Sequence, residues 1–579
     1  MPYHRPGCQT CRTRRIKCDQ THPVCQRCQK SHRTCAGLYR AQSQPFHHEN
    51  RYASGQQKRP RGPRRRPASP SPSLSPRLTP LLILRQPQPS LKTQAIAHYL
   101  HHYTSPSPST NPSSFTTSLT ETYISTLRTL PQPHFHHSPP VITTADLEKA
   151  ITPLALAYFA RAKHYPPAAR EASSTYALLL RDFSVLLRSV ETDPSPRQID
   201  TLLLMIFFMS RYEDTVHPVP GHSTTTPGWM GSSNGFAPPT ASGGITRGST
   251  LAKDIHATVG SFAHQDGALA VLRVWVLFLA RGDRGTWKAT EAIKLTRRAM
   301  MRSALMRGRA LPVWILDGRA FGEREGVEAR LDGLAVRVVQ LRGEVVALGT
   351  RNFAQTVGGS REGFLVGNMG VAKEVYSQAR MVRAALEAWK VEVDWVRRWS
   401  KEVVEGTVDV LGSGNAKLLA DRVLCFSDLA HAVLWCHFLT LRMLVESVCL
   451  RVLLFVESEI PGSGAAMWCD LAAARELAAA HEAELKNLAR QLAACLPFVL
   501  GQIEVKDNAA WGIRSVAWNE KQQPTPYRAS LVVWPLTVAS GIEGLGDEQR
   551  WFKTQLGHLG RVTGVGVLEC AEGDEWLKF

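Results

Sequence analysis

Six of the chain's 12 cysteines fall within 28 residues as one spacing written twice, Cys8-x2-Cys11-x6-Cys18 and then Cys25-x2-Cys28-x6-Cys35. A segment this short buries almost no apolar core, so cross-linking at the sulfurs has to hold it together. The opening residues, Met1 to Gly7, contain no apolar run of the kind a secretory signal needs. The thiols are therefore expected in a reducing compartment, where such a cluster binds metal rather than forming disulfides. Zinc takes four ligands in a tetrahedron and accepts thiolate as a structural donor. One ion would leave two cysteines over, whereas two ions offer eight positions that six sulfurs fill only if two of them bridge. The spacing thus predicts a binuclear cluster of Cys8, Cys11, Cys18, Cys25, Cys28 and Cys35 carrying two Zn2+ ions, with the metal supplying the folding energy.

Charge is concentrated at the same end. The first 100 residues hold 19 Lys and Arg against Asp19 and Glu49, which accounts for +17 of the chain's net +20. A basic patch confined to one end is the electrostatic footprint of a nucleic-acid-binding module on an otherwise neutral body. Within the cluster, Arg12, Arg14, Arg15 and Lys17 lie between Cys11 and Cys18, while the second half carries only Lys30 and Arg33, with His32. That asymmetry points to the first half as the face toward DNA. A helix from Cys11 toward Ile16 would place these side chains in a major groove, where Arg or Lys reaches guanine O6 and N7.

The doubled CxxCx6C pattern resembles the fungal Zn(II)2Cys6 binuclear cluster family of transcription regulators. The resemblance implies that Cys8 and Cys25 bridge, that Cys11 and Cys18 complete one ion, and that Cys28 and Cys35 complete the other. It implies further that Arg14 and Arg15 read a CGG-type triplet in double-stranded DNA, Arg15 as the principal reader. Arg12 and Lys17 are expected mainly at phosphates. Arg stands where the family mostly has Lys, and a planar fork and a point charge reach a base differently.

The expected domains are residues 1–40 for the metal-nucleated DNA-binding module of two short helices, 41–90 for a linker, and 91–579 for a large body. The linker is Pro-rich, Ser-rich and basic, which predicts disorder. Its run Lys58, Arg59, Arg61, Arg64, Arg65 and Arg66 is the candidate nuclear-import signal. Seven prolines between positions 45 and 76 forbid the coiled coil that many relatives carry after the cluster. Dimerisation, if any, would then run through the body; the one heptad-like stripe there, Leu331, Leu334, Val338, Leu341, Val345 and Leu348, reads better as a core stripe.

The body carries helical periodicity in Ile151 to Ala162, Ala168 to Val190, Gln198 to Met209, Gly267 to Ala280, Tyr376 to Trp399, Leu424 to Val456 and Leu471 to Leu496. Clear strand alternation is nearly absent, so the expected fold is all-α, with a disordered insertion over 218–249. Val423 to Val456 contains Asp428, Arg442, Glu446 and Arg451, and reads as a buried helix rather than a membrane span. The stretch Gln94 to Val216, the segment His264 to Ala268, and Arg528 to Leu536 with Gln549 to Trp551 resemble the fungal-specific transcription factor domain, a helical regulatory region. Trp534-Pro535-Leu536 is expected to form a buried helix corner.

Enzymatic motifs fail individually. His481-Glu482 lacks a second histidine at i+4, Gly564-Val565-Gly566 lacks the third glycine of a dinucleotide loop, and no Walker lysine motif or GxSxG elbow occurs. The scattered cysteines Cys425, Cys436, Cys449, Cys469, Cys495 and Cys570 read as core packing. The reading is a nuclear, sequence-specific DNA-binding regulator of RNA polymerase II transcription, not an enzyme. Its partners would be DNA, transcription machinery or co-regulators and a second copy, with no membrane. The alternative is a scaffold or co-regulator that keeps the zinc module and acts through protein contacts.

Overall fold

The computed structural model describes residues 8, 10–11, 14, 16–19, 21, 24–35, 89–104, 143–192, 194–216, 263–280, 288–322, 326–350, 361–392, 403–405, 422–426, 428–459, 471–508, 513–518, 523–573 and 576–578. The chain comprises two compact units, Met1–Gln86 and Pro87–Phe579. In the first, a helical turn begins at Thr10 and Cys11, and helix α1 spans Gln26–Lys30. The import run, the linker from residue 41 to 88 and the insertion over 218–249 lie outside the described residues, as do Arg12 and Arg15.

The second unit is mostly helical. Its first half contains α2 (Leu91–Tyr103), α3 (Thr144–Lys163), α4 (Pro166–Thr192), α5 (Pro196–Val216), α6 (Ala263–Ala280) and α7 (Glu291–Arg307), followed by α8 (Val313–Leu316) and a 3-10 turn over Gly318–Phe321. Helix α3 starts where Thr143 and Asp146 form a reciprocal capping box, satisfying two otherwise orphaned N–H groups. Its apolar face packs on α2, α4 and α5 around Ile151, Leu154, Ile199, Leu202 and Phe208, all buried. Thr290 caps α7 and also donates its hydroxyl to Asp200 Oδ1 at 2.8 Å, joining α7 to the buried face of α5.

The second half contains α9 (Val327–Thr350), α10 (Arg361–Glu392), α11 (Leu429–Glu459), α12 (Leu471–Val499), α13 (Pro526–Gly541), α14 (Asp547–Thr563) and the short α15 (Gly566–Glu569). Helix α11 is the axis of this half. It packs on α9, α10, α12 and α13, and residues from Ala432 to Leu450 are buried without interruption, as expected of a helix that is apolar nearly all round. Helix α7 belongs to both cores, with Ile293 and Met300 in the first and Met301 and Leu305 in the second. The chain then returns to its beginning: the Tyr103 hydroxyl donates to the Thr563 carbonyl, and Arg161 pairs with Glu569.

The helical expectation holds for these layers, and the structure adds two antiparallel strand pairs to it. Strands β1 (Val403–Glu405) and β2 (Arg422–Leu424) pair with Val404 opposite Val423. Strands β3 (Ile503–Asn508) and β4 (Ile513–Trp518) pair with Val505 opposite Val516. The helix expected from Leu424 therefore begins at Leu429, where Asp428 accepts the His431 N–H at 2.8 Å. The period of two in Ile503-x-Val505 was too short to register against long helical patterns.

The Leu331 to Leu348 stripe is core: Leu331, Val338, Leu341, Val345 and Leu348 are all buried. Trp534-Pro535-Leu536 does not turn a corner but lies inside α13, with Pro535 and Leu536 buried and Trp534 half-buried. Helix α6, rather than α11, is long and apolar enough to cross a membrane by length and composition. Its Ala268, Val271, Leu272 and Trp275 are buried in the first core, and Trp275 Nε1 donates to the Ala320 carbonyl at 3.1 Å.

Candidate metal centre

The two CxxC turns have the same local geometry. Cys11 N–H donates to Cys8 Sγ at 3.3 Å, and Cys28 N–H donates to Cys25 Sγ at 3.4 Å. Five residues past the second cysteine of each turn, Ile16 N–H reaches the Cys11 carbonyl at 3.1 Å and Arg33 N–H reaches the Cys28 carbonyl at 3.0 Å. The duplicated spacing is thus a duplicated fold. Backbone N–H groups point at sulfur in both halves, the arrangement that favours thiolate.

Six sulfurs converge. Cys8, Cys11, Cys25 and Cys28 are each only 1% exposed, Cys18 is buried and Cys35 is half-buried. Cys8 Sγ lies 3.7 Å from the sulfurs of both Cys25 and Cys28, and Cys11 Sγ lies 3.7 Å from that of Cys25. Four thiolates at a Zn–S distance of about 2.3 Å form a tetrahedron whose edges are roughly 3.8 Å, so these separations match those of zinc ligands. A disulfide would bring sulfurs to about 2 Å, and all six cysteines are free.

The ligand atoms fall into two sets of four, each within 4.8 Å: Cys8, Cys11, Cys18 and Cys25, and Cys8, Cys25, Cys28 and Cys35. Cys8 and Cys25 belong to both. Burial drives the Cys8 thiol up to about 12 and raises those of Cys11 and Cys25 as well. A cation is what makes thiolates of such groups, and binding it releases their protons.

Polar contacts outside the sulfurs fix the two halves together. Asp19 Oδ2 accepts the Gln26 N–H at 2.9 Å and the Thr21 hydroxyl at 2.6 Å, and Oδ1 accepts the Arg27 N–H at 3.3 Å. The Thr21 hydroxyl and these amides hold its carboxyl well below the usual carboxylate range. Asp19 therefore serves as the N-terminal anchor of α1, a helix whose own cap is the ligand Cys25. Sequence reasoning treated Asp19 only as a charge; its place directly after Cys18, ahead of a five-residue helix, was the available signal. Thr10 Oγ1 donates to the Thr34 carbonyl at 3.0 Å, which ties the start of one half to the end of the other.

Of the expected DNA contacts, Arg14 and Lys17 are exposed, with Arg14 Nη1 at 3.4 Å from Ser31 Oγ. Arg27, Lys30 and Arg33 form a further exposed basic set on the second half.

Residues 6–45 match the fungal Zn(2)-Cys(6) binuclear cluster domain. Over 31 residues the chain is 64% identical to Adhesion and hyphal regulator 1 of Candida albicans, covering 5% of each protein. It is 61% identical over 31 residues to Arginine metabolism regulation protein II of Saccharomyces cerevisiae, covering 5% of this chain and 4% of that one. It is 58% identical over 33 residues to Transcriptional regulatory protein moc3 of Schizosaccharomyces pombe, covering 6% of each. These relatives are regulators rather than enzymes, and the chain matches only a small fraction of their length. No solved structure matches. The amino-terminal module is a fungal-type binuclear zinc-cluster domain, and such a domain binds two zinc ions.

Proposed function

We propose that the chain is a nuclear, sequence-specific DNA-binding regulator of RNA polymerase II transcription, reading CGG-type triplets through residues 1–40. The observation that carries the reading is the pair of sulfur tetrads sharing Cys8 and Cys25. Each zinc then takes four thiolates, with Cys11 and Cys18 completing one ion and Cys28 and Cys35 the other. Arg14 and Arg15 act on base edges and Arg12 and Lys17 on phosphates. The exposure of Arg14 and Lys17 supports this assignment. Lys58, Arg59, Arg61, Arg64, Arg65 and Arg66 act in nuclear import. The linker spans 41–90, and the helical body over 91–579 is the regulatory domain, offering surface to co-regulators or a second copy.

Site selection tests the reading. The zinc-loaded full chain, incubated with random duplexes, should enrich CGG triplets, and Arg15→Ala should relax that preference while retaining two zinc ions. Enrichment of no motif would overturn the proposal in favour of a scaffold that acts through protein contacts.

A further inference from the structure

In the helical body, α7, α9, α11 and α13 leave a partly open cavity lined by Arg298, Arg302, Asp332, His437 and Trp534 among apolar side chains. We propose that it binds a small organic carboxylate, gripped by the Arg302 guanidinium and the Trp534 indole N–H, with its hydrocarbon part against the apolar wall. This inference stands independently of DNA recognition.

The charges lining the cavity do not balance. Arg298 Nε meets both carboxylate oxygens of Asp332, at 2.9 and 3.0 Å, so those two groups satisfy each other. Arg302 instead places Nη2 2.9 Å from His437 Nε2. His437 Nδ1 lies 2.8 Å from the Val433 carbonyl, so Nδ1 carries the proton and Nε2 accepts from Arg302. Burial, and then the Arg302 charge, hold this imidazole well below its ordinary value. It is therefore neutral and cannot offset the guanidinium. Among the described residues no carboxylate pairs with Arg302.

The remaining partner of Arg302 is an aromatic face. Its guanidinium sits 5.3 Å from the Trp534 ring centroid, and that ring stacks on His437 at 5.1 Å and 17°. Desolvation, then the Arg298 charge, lowers the Arg302 guanidinium to about 10, while Asp332 acts in the opposite direction. Trp534 Nε1 is buried and has no acceptor. One cavity thus holds an indole N–H with no acceptor and a guanidinium whose partners are a neutral nitrogen and an aromatic face rather than a carboxylate. Buried donors are ordinarily paired, and a planar carboxylate is the complement of a guanidinium.

The rest of the wall chooses among anions. Leu305, Leu331, Ala335 and Leu441 offer no hydrogen bonds, which suits an alkyl or aryl tail and gives inorganic ions nothing to match. A single cation with no carboxylate in direct contact, and with Asp332 nearby, suits a monoanion and disfavours phosphate dianion.

The test uses the zinc-loaded full chain labelled with 5-fluorotryptophan and titrated with sodium acetate, butyrate or benzoate. Chloride and inorganic phosphate at matched ionic strength serve as controls. One fluorine resonance, the one absent from Trp534→Phe, should shift saturably with a carboxylate and not with the controls. By calorimetry, Arg302→Met should weaken binding at least about tenfold, the effect of losing a charge-assisted hydrogen bond. No saturable shift with any carboxylate, an equal response to chloride or phosphate, or unchanged affinity in Arg302→Met would overturn the proposal. If Arg302→Met does not fold, the titration of the unsubstituted chain still decides.

Discussion

The sulfurs of Cys8 and Cys25 lie 3.7 Å apart and are the two ligand atoms common to both tetrads. Each comes first in its CxxC turn and accepts an N–H from the cysteine three residues on. Under the proposed assignment these two sulfurs would each bond two metals and carry the load of both sites, which would make the ligands unequal in consequence even though they are identical in kind.

Metal stoichiometry should expose that inequality. Cys8→Ala or Cys25→Ala is expected to lose both zinc ions and unfold the module, because each substitution breaks two coordination spheres. Cys35→Ala breaks one sphere and should leave about one tightly held zinc, since Cys11, Cys18 and the shared pair remain. Native mass spectrometry reads the ratio, and a single zinc retained by Cys25→Ala would contradict the shared assignment.

Asp19 gives a prediction that does not touch a ligand. Asp19→Ala removes two acceptor contacts from the start of α1 and one from the Thr21 hydroxyl and should weaken the module by about 1 kcal/mol, the usual cost of a lost cap. Zinc should then be lost to a competing chelator at lower chelator concentration, with the stoichiometry still two. Unchanged zinc retention would remove Asp19 from the account.

Glu446 sits at the centre of a buried network in the body and is fully enclosed. It accepts from His481 Nδ1 at 2.6 Å, and Arg442 Nη1 and Arg383 Nε approach it at 3.0 and 3.3 Å. His481 Nε2 in turn meets the Tyr376 hydroxyl at 3.1 Å. Glu446→Ala strands Arg442 without its innermost counter-charge and should cost about 3 to 5 kcal/mol. Denaturant unfolding followed by tryptophan fluorescence measures it.

Asp200 predicts a pH dependence. Burial pushes its carboxyl up to about 7 from an ordinary 3.8, against the opposing hydrogen bond from Thr290. The folded chain therefore holds a proton that the unfolded chain has already released. Its contribution is fully present below about pH 4 and is lost as pH rises toward 7, by up to about 1.4 kcal/mol per unit. Asp200→Asn, which keeps the shape without the charge, should gain on the unsubstituted chain steadily between pH 4 and 7. A constant difference across that range would refute the assignment.

Gly560 lies where α14 passes the chain of α15. A methyl group there would come 2.8 Å from the Glu569 backbone nitrogen and 3.0 Å from the Leu568 carbonyl carbon. Because backbone cannot yield as a side-chain tip does, Gly560→Ala should destabilise the body by about 1 to 3 kcal/mol, seen as a lower thermal midpoint.

What the residues determined alone is the chemistry of the amino-terminal module. Thiolate is the ligand, and the spacing of Cys8 through Cys35 carries the ligand count, so no distant contact was needed to infer two metals. The long helices were legible for a related reason, since a period of 3.6 is written along the chain itself. Tertiary structure decided what depends on residues far apart in sequence: the closure of Tyr103 onto Thr563, and the cavity where Arg302 of α7 meets Trp534 of α13. Such partners have no common period or spacing; they meet only when four helices have packed, and packing depends on the shapes of all of them together.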